Sequence, residues 1–191
     1  MRRILPILVS SIIILIIAAG CADRVSDVVE TDLASLDMEL LTISEELGAF
    51  STKFDPSENG RTINIELASD SINQTIVQSG EEFSYNKTIG PTTEKNGYQL
   101  AMIYVGGKKD EGFGGGVCQV SSTLYNAAAN AGMTVTERHD HSLPVTYVEA
   151  GKEAATSYGV KDLRFINELS HPVIIHSHVE NGIVSVSINV A

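Results

Sequence analysis

The sequence predicts an α+β domain, mostly antiparallel sheet with two main helices, preceded by an N-terminal signal or anchor helix. Three observations carry that reading. Only two stretches, 61–73 and 118–131, repeat apolar residues at helical spacing. Some seven or eight short segments rich in Val, Ile, Thr, Phe and Tyr lie between turn signals. Helices and strands do not alternate in the regular βαβ manner that winds a parallel sheet.

The N-terminus divides from the rest by composition. Residues 1–20 read Arg2-Arg3, an apolar run through Ile17, then Ala18-Ala19-Gly20 ahead of Cys21. A basic head, an apolar core and small residues before a cut site make a secretory signal. Cys21 directly after them resembles the lipidated cysteine of a bacterial lipobox, although Ala18 replaces the usual leucine. An uncleaved membrane anchor is the alternative. Either way the domain is expected to work outside the cytoplasm, attached to the cell membrane through a lipid or an anchor. Residues 21–39 read as a tether and 40–191 as the folded domain.

Within that domain, 40–54 is expected to contain a strand and 55–60 to turn. Ile65, Ala68 and Ile72 then share one face of a helix over 61–73. Short strands are expected at 75–77 and 82–85, around the Ser79-Gly80 turn, and across 98–105 up to Gly106-Gly107. Val120, Leu124, Ala127, Ala128 and Ala131 mark the second helix, closed by Gly132. A strand follows at 133–138, another at 161–167, and a C-terminal hairpin turns at Asn181-Gly182. His171, His176 and His178 fall in that hairpin and carry no assigned role.

The 191-residue chain has a net charge of −11, which becomes −13 once residues 1–20, carrying Arg2 and Arg3 and no acids, are removed. Phosphate backbones are repelled by such a surface, so nucleic-acid binding is excluded as an expectation. Of the two cysteines, Cys21 belongs to the leader, which leaves Cys118 as a lone thiol. It follows Gly114-Gly115-Gly116 and opens the second helix. Glycines allow close approach of a backbone or ligand, and the positive end of a helix dipole favours a thiolate. A buried structural cysteine is the competing reading.

Further along stand Arg138-His139-Asp140-His141-Ser142, and then Lys161-Asp162-Leu163-Arg164-Phe165. On a strand, His139 and His141 would face the same side. Together with Gly80-Glu81-Glu82-Phe83-Ser84-Tyr85-Asn86, Ile89-Gly90-Pro91, the stretch from Gly114 to Ala127, and Ser157-Tyr158-Gly159, these motifs resemble the VanW family over all of the folded part. The resemblance implies an envelope protein of the vancomycin-resistance accessory type, with no established activity. The family commonly has Pro-Pro-Gly where this chain has Glu149-Ala150-Gly151, and Asp-Ala where it has Glu153-Ala154.

The order of Cys118, His141 and Asp162 is similar, in arrangement alone, to transglutaminase-like and papain-like thiol enzymes. It points to a thiol acyltransferase or amidohydrolase acting on cell-wall peptide. Cys118 is then the nucleophile, His141 the base with His139 as competitor, and Asp162 the group that orients the imidazole. The Cys118 amide and Gln119 side chain are candidate oxyanion donors. Ser121, Ser122, Tyr125, Arg138 and Arg164 complete the expected substrate-binding set. The alternative is a non-catalytic envelope-binding module that holds a peptide or glycan. A zinc site from Cys118, His139 and His141 is a weaker third reading; no residue is assigned to a metal and no cofactor is expected.

Overall fold

A computed structural model describes residues 45–191; the signal at 1–20, the tether at 21–39 with Cys21, and residues 40–44 lie outside the described residues. In chain order the elements are β1 (Glu46–Lys53), α1 (Asn59–Ile72), β2 (Thr75–Val77), β3 (Glu82–Ser84) and α2 (Tyr85–Ile89). Then come a 3-10 turn (Glu94–Asn96), β4 (Leu100–Val105), β5 (Lys108–Phe113), α3 (Val117–Asn130) and β6 (Thr134–Glu137). The chain ends with β7 (Arg164–Ile166), β8 (Val173–Glu180) and β9 (Ile183–Val190). The fold is α+β, as the sequence predicts, with two long helices and one short one among the described residues.

The main sheet has the order β1-β9-β8-β2, a second has β3-β7-β6, and β4 and β5 form a separate two-stranded ribbon. Every pairing is antiparallel. Alternation along β8 and β9 turns Val173, Ile175, Val184, Val186 and Ile188 to one face, where they are buried. That face packs against α1 and α3, whose Ile65, Ala68, Ile72, Val120, Leu124 and Ala127 are fully buried in the same core. Each such large aliphatic side chain contributes about 1.5–3 kcal/mol by leaving water. Ile174, His176 and His178 share the outer face, as their spacing predicts.

Helix α3 stops as read. The Gly132 N–H donates to Ala129 O at 3.1 Å and the Met133 N–H to Ala128 O at 2.9 Å, a double closure that turns buried Met133 back onto the core.

Two local expectations are corrected, at Tyr85 and at the histidines, and two features that were not anticipated are added. The strands at 75–77 and 82–84 do not pair with each other but with β8 and β7. Tyr85 does not extend the second of them; it opens α2, because the Ser84 hydroxyl accepts from the Lys87 N–H and caps a helix. The charged run Lys108-Lys109-Asp110-Glu111 is a strand, paired to β4 through the two-residue turn at Gly106-Gly107. Finally, β6 ends at Glu137, so His139 and His141 stand in a long loop rather than on a strand.

Candidate active site

The three glycines set the geometry. Gly116 is the residue before α3 and has φ of 112°, a conformation that side-chain-bearing residues avoid. A Cβ there would meet Ile65 Cγ1 at 3.0 Å and Arg61 Cγ at 3.1 Å; one at Gly115 would meet Met102 O at 2.5 Å. The run is thus the point where α1, β4 and α3 converge. Buried Asn64 fastens it, donating from Nδ2 to Gln99 O at 3.0 Å and Gly115 O at 2.9 Å, and accepting from the Gln99 N–H at 2.7 Å.

This places Cys118, partly exposed, in the first turn of α3 on the wall of an open cavity of about 550 Å³. Its backbone amide lies where a helix has no internal acceptor to offer. A strip of chain from 152 to 157 runs beside it. The Ser121 hydroxyl donates to Ala154 O at 2.6 Å, the Ala154 N–H donates to Ser122 Oγ at 2.9 Å, and Asn126 Nδ2 donates to Lys152 O at 2.8 Å. These bonds bring the Thr156 N–H to 3.4 Å from Cys118 Sγ, with Thr156 O also at 3.4 Å and Thr156 Oγ1 at 3.7 Å.

His141 and Tyr147 line the same cavity. Their rings meet edge-on with centroids 6.3 Å apart, and Tyr147 OH is 3.4 Å from His141 Nε2. Burial holds the imidazole below its usual value; Glu153 and Asp140 act in the opposite sense, and Lys161 reinforces the lowering. Burial also pushes the Tyr147 phenol well above its ordinary range, with Cys118 adding to the effect. At neutral pH the site therefore holds an uncharged imidazole beside a protonated phenol. No hydrogen bond joins Cys118 Sγ to either histidine among the described residues. His139 is off the cavity, with its Nε2 2.8 Å from Glu137 Oε1.

Asp162 does not orient an imidazole. It is 4% exposed, and its carboxylate accepts from Asn86 N at 2.8 Å, Leu163 N at 2.9 Å, Ser84 Oγ at 2.6 Å and Arg164 Nε at 3.0 Å. Through Asp162 these bonds link the end of β3 and the start of α2 to the chain entering β7. The acid that acts on His141 most strongly is Glu153, whose Oε2 is buried without a partner, as is His141 Nδ1.

The family model for VanW like protein matches residues 60–189. The chain belongs to the VanW family. It is 40% identical over 149 residues to the Bacillus subtilis (strain 168) protein named Uncharacterized protein YoaR, covering 77% of this chain and 49% of that one. It is 25% identical over 116 residues to the Enterococcus faecalis (strain ATCC 700802 / V583) protein named Vancomycin B-type resistance protein VanW, covering 58% and 42% respectively. The chain thus spans about half the length of these relatives or less. No solved structure matches.

The VanW motifs now have places. The motif at 80–86 supplies β3 and the start of α2, the stretch from Gly114 supplies the cavity wall and the thiol, and the motif at 138–142 brings His141 to that wall. Several residues expected to touch substrate do not line the cavity. Ser121 and Ser122 bond back to Cys118 O and hold the 152–157 strip. Arg138 reaches Asp140 at 2.6 Å and Glu153 O at 2.5 Å, and its guanidinium lies 5.3 Å from the Tyr125 ring centroid. Arg164 faces Asp162, Glu137 and Glu82 at 3.0, 3.2 and 3.5 Å. Gln119 does reach the cavity, but its Nε2 is committed to Thr52 Oγ1 and Lys53 O, each at 3.0 Å, so it has no proton left for an oxyanion.

Sequence reasoning missed Arg61, Lys161 and Glu153. A signal existed for Arg61, which stands four residues before Ile65 and so on the inward stripe of α1. Among the described residues no group of three or more His, Cys, Asp or Glu side chains is placed to hold a metal ion.

Proposed function

We propose that this VanW domain is an extracytoplasmic, membrane-attached thiol acyltransferase or amidohydrolase acting on cell-wall peptide. The observation that carries the reading is Cys118 in the first turn of α3, partly exposed on a cavity that it shares with His141. Attachment through Cys21 or an uncleaved anchor follows from the N-terminal pattern.

The chemistry proceeds in two halves. The Cys118 thiol gives its proton to the uncharged His141, and the sulfur attacks an amide carbonyl, forming a C–S bond. The Cys118 amide, in the first turn of α3, donates to the oxyanion. The C–N bond then breaks as His141 returns the proton to the leaving amine. In the second half, water or an acceptor amine attacks the thioester, passes its proton to His141, and releases the acyl group with the thiol restored. No oxidant or reductant is required. Tyr147, hydrogen-bonded to His141 Nε2, supports the imidazole, and Glu153 stabilises the imidazolium as it forms.

The Vancomycin B-type resistance protein VanW is named for resistance to a glycopeptide antibiotic, which supports the cell wall as the setting. Replacing Cys118→Ser in the native chromosomal copy tests the proposal. It is expected to reproduce the deletion phenotype in a cell-wall stress assay at unchanged protein level. Full activity of the variant overturns the thiol mechanism and leaves the non-catalytic envelope-binding module.

A further inference from the structure

In a chain with a net charge of −11, no aspartate or glutamate among the described residues lines the Cys118 cavity, whereas Arg61 and Lys161 both do. Arg61 is not a loose surface charge. Its Nη2 donates to Gln119 Oε1 at 2.6 Å, and Gln119 is 1% exposed. Gln119 is fixed in turn by Thr52 and Lys53, and Thr52 Oγ1 lies 2.8 Å from Thr123 Oγ1. The guanidinium is therefore held by a chain of buried polar groups reaching across α3 to β1. Its Nε lies 3.8 Å from the exposed Glu58 carboxylate, beyond hydrogen-bond length, and its Nη1 has no partner among the described residues. Among the described residues Lys161 Nζ reaches only Asp140 O, at 3.5 Å. An ordered guanidinium with free N–H groups is the geometry that recognises a carboxylate bidentately.

The rest of the wall carries exposed apolar side chains and open backbone. Met102, Tyr104 and Phe113 of the β4–β5 ribbon, with Val160 across from them in sequence, expose apolar surface at the cavity. The glycine run leaves backbone accessible beside the thiol.

We propose that the cavity binds a short peptide by its free carboxylate, gripped by Arg61 and Lys161. The preceding residue lies along the apolar wall and its carbonyl is presented to Cys118. Gln119 is the positioning residue that orders Arg61. This deepens the thiol-enzyme reading and rests on it for the fate of the peptide, but binding itself needs no thiol.

The test is a calorimetric titration of the full chain carrying Cys118→Ala, so that turnover does not intrude. The probes are N-acetyl-dialanine, in its L,L and D,D forms, and the C-terminal amide of each. The acid of at least one form is expected to bind about tenfold or more tighter than its amide. Arg61→Gln should abolish that preference, Lys161→Gln should reduce it, and Gln119→Leu should weaken the acid while leaving the amide unchanged. Equal binding of acid and amide, absence of binding by all four, acetate binding as tightly as the dipeptide acid, or a preference that survives Arg61→Gln each overturns the proposal. A carboxylate preference that stands while Cys118→Ser cells keep full function would sink the catalytic reading alone.

Discussion

His141 loses water on folding, and a desolvated imidazole resists its own charge. Its folded value is depressed, so it stabilises the fold fully above the ordinary imidazole value, about pH 6.5, and that contribution is lost as pH falls through the lowered one. Asp140, Glu153 and Lys161 all act on it, and the net direction remains downward. Urea unfolding midpoints of the wild type are therefore expected to fall on acidification below about pH 6.5, by more than those of His141→Gln. Asp162 contributes through hydrogen bonds. With four donors on a buried carboxylate, Asp162→Asn is expected to cost about 1–3 kcal/mol in stability, while thiol alkylation of Cys118 in the folded protein changes little. The sequence could rank Cys118 and His141 because glycines, a helix start and a histidine are local signs. It could not separate Asp162 from Glu153. Which acid faces an imidazole depends on a loop of more than twenty residues folding back on α3, and no spacing rule carries that.

At the scale of elements, the glycine run is where sequence and structure agree most closely. Gly116→Ala places a side chain at φ of 112°, against Ile65 and Arg61. It is expected to destabilise by about 1–3 kcal/mol and to weaken carboxylate binding as Arg61 shifts, as denaturation and titration of the same variant would show. Helix α3 was legible because its apolar spacing, its glycine entry and its Gly132 exit all coincide. Strand β5 was not, because a ribbon exposed on its charged face shows no apolar alternation to read. The pairing of β2 with β8 and β3 with β7 was equally hidden, since three-residue strands take their partners from the tertiary fold rather than from the nearest turn.

Across the whole molecule, one layer of helices covers one face of the main sheet, and the site sits where both long helices begin. Leu124, on α3 in that layer, is fully buried. Leu124→Ala is expected to cost about 2–5 kcal/mol by thermal or denaturant unfolding. The chain is acidic overall, whereas Arg61 and Lys161 line the cavity with no Asp or Glu among its described lining residues, which is the local inversion of sign that the proposed carboxylate grip uses. Overall charge was readable from composition; the inversion was not, because Arg61 and Lys161 lie 100 residues apart in sequence. In the proposed reaction Cys118 accepts an acyl group from cell-wall peptide. Its most direct measurement is intact-protein mass spectrometry, with peptide mapping, after incubating the full chain with a digest of cell-wall peptides and quenching in acid. A hydroxylamine-labile acyl adduct is expected on Cys118, absent from Cys118→Ser and reduced in His141→Gln. An unmodified Cys118 in wild-type protein, under conditions where the peptides demonstrably bind, would contradict it.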